Sequence, residues 1–148
     1  MNAELLARLR QITEEEKAIL AGADTVDRGR YTSRKDFVID SAKLLEKGKL
    51  VEIRPHTRFV HFPRHRHNYV ELIYMCSGST THILNGADTV TLETGDLLFL
   101  NQAVYHEILP AARDDVAVNF IILPQFFDRS FAMLEQENVL RDFLVSTL

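Results

Sequence analysis

The chain of 148 residues changes its hydrophobic period twice. Up to about residue 21, leucine and isoleucine recur every three or four positions, which predicts helix. Thr13 and Glu16 form a capping-box pattern, so we expect a second helix to start there and to end at Gly22. Residues 22–35 show no period and are predicted to form a loop or a surface arm. Residues 40–47 are predicted to form a short helix that stops at Gly48.

From residue 50 the alternation is that of short strands. Eight runs fit a period of two: 50–54, 58–62, 69–76, 80–84, 88–92, 97–100, 104–109 and 116–123. Asn85 and Gly86 separate two of these runs and predict a tight hairpin, because both turn residues favour positive φ. No two runs are joined by a segment long enough for a crossover helix. This excludes parallel βαβ units and indicates a barrel or sandwich.

After Pro124 the period becomes helical again. Phe126, Phe127, Phe131 and Leu134 mark one face, and Asn138 could cap a last helix. The apolar content of this helical pair exceeds what one side of a barrel needs to be covered. Two interpretations stay open: the helices pack on each other and on the barrel, or they form the interface of a homodimer.

Composition narrows the class of protein. The formal net charge is −4, so the surface as a whole is not built to hold nucleic acid. Residues 28–66 are locally basic, but their charges are dispersed and show no recognition-helix pattern. A lone cysteine, Cys76, allows no internal disulfide, and no apolar run resembles a leader or a membrane span. These features favour a cytoplasmic protein.

The histidines carry the candidate chemistry. His65, His67, Tyr69, Glu71 and Ile73 share one parity, so in an extended segment they point to the same side. Imidazoles and carboxylates are seldom buried without partners, so this face is predicted to be a wet pocket, a self-satisfied cluster or a metal site. A histidine in a later run, His106, could complete the group.

These residues resemble the cupin pattern. His65, His67, Glu71 and Gly78 read H-x-H-x3-E-x6-G, and Gly95-Asp96 with the later His106 resembles the second cupin motif. The resemblance implies a mostly β fold: a small antiparallel double-stranded β-helix barrel with N-terminal helices and a C-terminal helical pair. Asn101 departs from the pattern, since many cupins have proline soon after the Gly-Asp strand.

A narrower resemblance covers about residues 50–148. The stretches HFPRHRHNYVELIYMCSGSTTHILNG, LETGDLLFLNQAVYHEI and AVNFIILPQFFD are similar to the N-terminal sensor domain of AraC-type transcription regulators. The resemblance implies one compact domain in three parts: helices and arm (1–49), barrel (50–123) and dimerisation helices (124–148). In that family the barrel holds a small effector and a further helix-turn-helix domain binds DNA, which we expect to lie outside this chain.

The resulting hypothesis is a non-enzymatic sensor of a small molecule, a carbohydrate among the candidates, that forms a homodimer and touches no membrane. The predicted ligand-binding residues are His65, His67, Tyr69, Glu71, His82 and His106. His65, His67, Glu71 and His106 are also candidate ligands for Zn, Ni, Fe or Mn, with no metal required for sensing. The alternative is a stand-alone metal-dependent cupin enzyme of the oxygenase or isomerase type.

Overall fold

A computed structural model describes residues 1–130 and Asp142. Nine strands lie in this part of the chain: β1 (Val38–Ile39), β2 (Val51–Pro55), β3 (Phe62–His67), β4 (Val70–Ser77), β5 (Ser79–Leu84), β6 (Asp88–Glu93), β7 (Leu97–Leu100), β8 (His106–Ile108) and β9 (Val116–Ile122). They form a five-stranded sheet, in the order β1-β3-β8-β5-β6, and a four-stranded sheet, in the order β2-β9-β4-β7. The helices are α1 (Ala3–Leu9), α2 (Glu14–Leu20), α3 (Ser41–Leu44) and α4 (Gln125–Ser130), with a 3-10 turn at Arg28–Arg30.

The turns follow the predicted chemistry. Thr13 and Glu16 make the reciprocal bonds of a capping box at the start of α2, and Gly22 follows that helix at φ 121°. Asn85 (φ 51°) and Gly86 (φ 72°) connect β5 to β6. Both predictions are confirmed. They could be made from the sequence because each feature depends on residues that are close together in the chain.

The predicted strand at 58–62 is wrong. Phe59 has φ 71°, which breaks an extended run, and the strand begins only at Phe62. Pro63 lies inside β3 rather than between strands. The register between β3 and β8 shifts between Phe62 and His65, and such an irregularity accommodates a residue that cannot donate to the ladder.

Strand β1 was not predicted, because two residues are too few to show a period. It pairs in parallel with β3, with Val38 opposite Arg66. The strands within the predicted barrel (50–123) pair antiparallel with one another, and β1 adds a parallel strand at this edge of the larger sheet. The intervening chain carries α3 and β2, so the parallel pair needs no long crossover helix.

A buried ion pair ties the N-terminal helices to the barrel. Arg58 donates from Nε and Nη2 to the carboxylate of Glu16, and from its backbone N–H to the same group. Its remaining guanidinium donors reach the carbonyl oxygens of Arg10, Gln11 and Arg113. Burial alone would raise the pKa of Glu16, but these hydrogen bonds hold it below its usual range.

The main apolar cluster also spans both parts. Ile19, Val26, Tyr31 and Ile39 of the N-terminal segment pack with barrel residues that include Phe62 and Tyr69. No helix in the described part of the chain has the length and apolar character needed to cross a bilayer. The fold is mostly β, with two sheets closing on one another as a cupin-type barrel, which confirms the predicted fold class.

The three predicted boundaries (1–49, 50–123 and 124–148) remain a prediction. Most of the proposed dimerisation helices lies outside the described residues. The short helix α4 begins as expected after Pro124, and its Phe127 packs with Val70 and the partly buried Ile122.

Candidate functional site

The interior face predicted from alternation exists, although its strand is not continuous. The chain bends at Asn68 and Tyr69 and passes from β3 in one sheet to β4 in the other. His65, His67, Tyr69, Glu71 and Ile73 are nevertheless all buried, each less than 5% exposed. The period-two pattern is kept through the bend, so one segment delivers five side chains to the same interior.

Three imidazoles meet inside the barrel. One ring nitrogen from each of His65, His67 and His106 lies within 4.8 Å of the others. The Nε2 atoms of His67 and His106 are 3.4 Å apart. The pairing of β3 with β8 brings them together, because it sets His65 opposite His106 across 41 residues of sequence.

Glu71 contacts two of these rings. Its Oε2 lies 3.1 Å from Nε2 of His67 and 3.7 Å from Nε2 of His106. The shorter contact lacks the geometry of a hydrogen bond, so Oε2 is a buried oxygen without a hydrogen-bond partner. Its other oxygen, Oε1, accepts a 3.1 Å hydrogen bond from Nδ2 of Asn119.

A second layer orients the imidazoles. Nδ1 of His65 lies 2.7 Å from the carbonyl oxygen of Pro63, so Nδ1 carries the hydrogen and Nε2 of the neutral ring is left as an acceptor. Nδ1 of His106 lies 3.4 Å from Nδ1 of His82, whose Nε2 is 3.1 Å from the hydroxyl of Thr80. Bonds of this kind fix the tautomer of metal-binding histidines.

Burial favours the neutral form of three histidines of the site. Burial lowers the pKa of His65 to about 3 and that of His82 to about 4, and burial also puts the pKa of His106 well below its usual value. For Glu71, burial would raise the pKa, but the combined interactions with His67, His106 and His65 outweigh burial and lower the pKa. A metal ion binds the neutral form of an imidazole and the ionised form of a carboxylate.

The donor set therefore fits a divalent transition ion. His65, His67 and His106 would supply imidazole nitrogens, and Glu71 would supply the unpartnered Oε2. Such an ion acts as a Lewis acid on a bound oxygen when it is present. The chain's own contribution is to hold the rings apart, orient their lone pairs and exclude water.

A cavity opens beside this cluster, between the N-terminal segment and the barrel. It encloses about 460 Å³ including its mouth to solvent. Its wall is built from both parts of the chain: Tyr31, Ile39, Leu44, Arg54, Pro55, His56, Thr57, Phe62, His65, Tyr69, Glu71, Ile108, Asn119 and Ile121. A cavity with an apolar wall and a few polar groups is typical of small-molecule sites.

The six predicted ligand-binding residues divide into two groups. His65, Tyr69 and Glu71 line the cavity. His67 and His106 lie in the buried cluster, and His82 lies behind His106 with no exposed surface. The six remain a prediction as ligand contacts, but the structure brings all of them into one continuous cluster.

Sequence reasoning missed several polar residues of the wall. His56 follows β2 and is buried, with its pKa lowered by burial to about 4. Asn119 and Arg54 face each other across β9 and β2. Tyr31 comes from the loop segment that showed no period, and its hydroxyl donates to Glu15 at 2.6 Å. A polar residue at an inward-facing parity is the signal that could have found Asn119.

Comparison of the sequence with known protein families identifies one match. The model of the AraC-like ligand-binding domain matches residues 48–138. No curated protein sequence matches the chain significantly.

Solved structures with a similar barrel include three of low sequence identity. KdgF from a Halomonas species is 13% identical, with a TM-score of 0.41 over 53% of this chain and 84% of that chain. A predicted oxalate decarboxylase from Thermotoga maritima is 23% identical, with a TM-score of 0.41 over 51% and 66%. A protein of Neisseria meningitidis is 8% identical, with a TM-score of 0.44 over 76% and 99%. The family match spans more than half of the sequence and includes the whole histidine cluster, so the chain belongs to the AraC-like ligand-binding domains.

Proposed function

We propose that this chain is the effector-sensing part of a transcription regulator, in which a small molecule binds in the cavity and acts through the N-terminal segment. One observation supports the proposal most directly. The cavity wall combines Tyr31, Ile39 and Leu44 of that segment with Tyr69 and Glu71 of the barrel. A ligand there touches both parts at once.

Coupling follows from this shared wall. A ligand shifts an equilibrium between two arrangements only by its differential affinity for them. If the segment around Tyr31 moved away, the ligand would lose part of its wall. Binding therefore favours the arrangement in which the segment is docked on the barrel. The DNA-binding domain and the homodimer through residues 124–148 belong to this proposal.

The test separates sensing from catalysis. The chain is screened by thermal unfolding against sugars, amino acids and carboxylic acids, and each hit is recovered and analysed by mass spectrometry. We expect a hit to raise the melting temperature, to return unchanged, and to slow amide exchange in residues 22–45. Turnover of the hit would contradict a pure sensor, and unchanged exchange in that segment would contradict the coupling.

The regulator context needs a separate measurement. The full-length gene product is tested for DNA binding with and without the hit, and its mass in solution is measured by sedimentation. A ligand-dependent change in DNA affinity and a dimer are the expected results. A monomer at micromolar concentration would contradict the dimerisation helices without affecting the sensing site.

A metal-dependent enzyme is the second candidate, favoured by the cluster of His65, His67 and His106. The protein is loaded in turn with Zn, Ni, Fe and Mn and incubated with each hit. Product formation that depends on the ion, and that is lost in His106→Gln, would favour the enzyme over the sensor.

A further inference from the structure

Arg54 lines the cavity and has no hydrogen-bond or ion-pair partner among the described residues. It is half-buried on β2 and lines both the main cavity and an adjoining surface depression. Within residues 1–130 its guanidinium makes no hydrogen bond and no ion pair, whereas Arg58 on the same stretch of chain uses all its nitrogens. The guanidinium of Arg54 therefore offers several N–H donors to which no acceptor of the described residues is bonded.

The buried carboxylate of the depression does not fill this role. Glu15 lies there, and its Oε2 accepts hydrogen bonds from Tyr31 and Thr57. Its Oε1 is buried and has no hydrogen-bond partner. Glu15 and Arg54 are therefore neighbours that are not paired with each other.

Deeper in the cavity the unpartnered atoms are acceptors. Asn119 lies opposite Arg54 in the β2–β9 register. Its Nδ2 donates to Oε1 of Glu71, which fixes the orientation of the amide and leaves Oδ1 as the free acceptor. That Oδ1 is buried and has no hydrogen-bond partner, and the same is true of Oε2 of Glu71.

The cavity is thus polarised along its length. Its outer end presents the positive charge of Arg54, and its inner end presents acceptors and a carboxylate. Buried polar groups without hydrogen-bond partners cost free energy. A ligand that forms hydrogen bonds with them recovers this free energy on binding. An arginine fork matches a carboxylate in two parallel bonds, and a free amide oxygen requires an O–H or N–H donor.

We propose that the effector is a small carboxylic acid that also carries a hydroxyl or amino group. Its carboxylate binds Arg54 at the outer end of the cavity, and its donor group binds Oδ1 of Asn119 at the inner end. This assignment rests on the proposed sensing function and specifies the ligand class of the same site.

The experiment measures binding of defined probes by calorimetry. The hydroxy acids glycerate and gluconate, and the amino acids β-alanine and γ-aminobutyrate, are each compared with their own primary amide. Loss of the charge-assisted bonds to Arg54 is expected to weaken binding about ten- to a hundredfold in the amide. Comparison of the hydroxy acids with the amino acids then shows whether a hydroxyl or an ammonium group is preferred at Asn119.

Variants assign the effect to residues. Arg54→Gln is expected to bind acid and amide equally, and Arg54→Lys to keep part of the preference. Asn119→Leu removes the acceptor and is expected to weaken the binding of the hydroxy acids and the amino acids alike. Arg64→Gln is the matched control, because Arg64 is exposed and its guanidinium lies over the Tyr105 ring, outside the cavity wall. The melting temperature of each variant shows that it is folded.

Three outcomes would overturn the ligand class: equal affinity for acid and amide, full acid preference in Arg54→Gln, or no binding of any acid. The sensing function fails differently. It is contradicted when hits of other classes, such as sugars, are converted to product or leave residues 22–45 unprotected.

Discussion

Two buried clusters of ionisable groups in the described part of the chain differ in how completely their polar atoms are hydrogen-bonded. In the first, Arg58 and Glu16 exchange hydrogen bonds, and the remaining guanidinium donors reach backbone carbonyls. In the second, Glu71, Asn119 and His67 each keep one buried polar atom without a hydrogen-bond partner. The ionisable side chains of both clusters are buried, so burial alone does not distinguish a structural cluster from a functional one.

The difference shows what each cluster is for. A fully paired ion pair holds two parts of the chain in one arrangement, and here it fixes α2 to the loop before β3. An incompletely paired cluster costs free energy that only a further group, an ion or a ligand, can recover. Atoms without hydrogen-bond partners therefore indicate a binding role for the histidine cluster. The complete pairing of Arg58 indicates a structural role for the first cluster.

The largest expected effect is at the satisfied pair. Glu16→Gln leaves the buried Arg58 without its counter-ion, which is expected to cost about 3–5 kcal/mol of unfolding free energy. Chemical denaturation measures this loss. Glu14→Gln is the control, since Glu14 pairs with Lys17 on the exposed face of the same helix, and its substitution is expected to change the unfolding free energy far less. Equal losses in the two variants would remove the distinction.

As the pH falls, protonation is expected to destabilise the protein at the buried histidines before it affects the ion pair of Arg58 and Glu16. His56 and His82 have pKa values of about 4 when folded, against 6.5 for a free imidazole. The unfolded state therefore binds protons first as pH falls below 6.5, and stability drops until about pH 4, by on the order of 3 kcal/mol per histidine.

Melting temperatures between pH 7 and pH 4 check this. His56→Gln is expected to make the decline shallower, whereas His61→Gln, at an exposed ring that contacts Glu107, is expected to leave it unchanged. A flat profile in the wild-type protein would mean that the buried histidines are protonated or solvated in solution.

Metal addition is expected to stabilise the unsatisfied cluster. Zn²⁺ at about a hundred times its dissociation constant adds about 2.7 kcal/mol to the unfolding free energy, and a chelator reverses the gain. His106→Gln is expected to abolish the shift, and His82→Phe to weaken Zn²⁺ binding about tenfold through the lost support of His106. A shift of the same size in His106→Gln would place the ion elsewhere.

The smallest expected change in stability is at the unsatisfied carboxylate. Glu71→Gln retains an oxygen for Asn119 but removes the charge that interacts with His67, and because Oε2 makes no hydrogen bond the cost is expected to be smaller than that of Glu16→Gln. Binding of Zn²⁺ is expected to weaken in the same variant. A loss as large as that of Glu16→Gln would show that Glu71 serves the fold, like the first cluster.

Local chemistry explains what could be predicted of the fold. The capping box at Thr13, the hairpin at Asn85 and most strands follow from neighbouring residues, whose conformational preferences do not need the rest of the chain. The prediction failed at 58–62, where Arg58 turns inward to an acid 42 residues away. It also failed at β1, a two-residue strand that forms only by pairing with β3.

The sequence by itself determined which side chains enter the barrel between His65 and Ile73, because alternation assigns each residue to a face whatever the sheets do. It also determined the chemistry available there, imidazole and carboxylate. Only the tertiary structure decided which groups meet: His106 at His65, Asn119 at Glu71, and Tyr31 over the cavity. These contacts join residues far apart in the chain, and their distances depend on strand register and on the docking of the N-terminal segment, which no local pattern encodes.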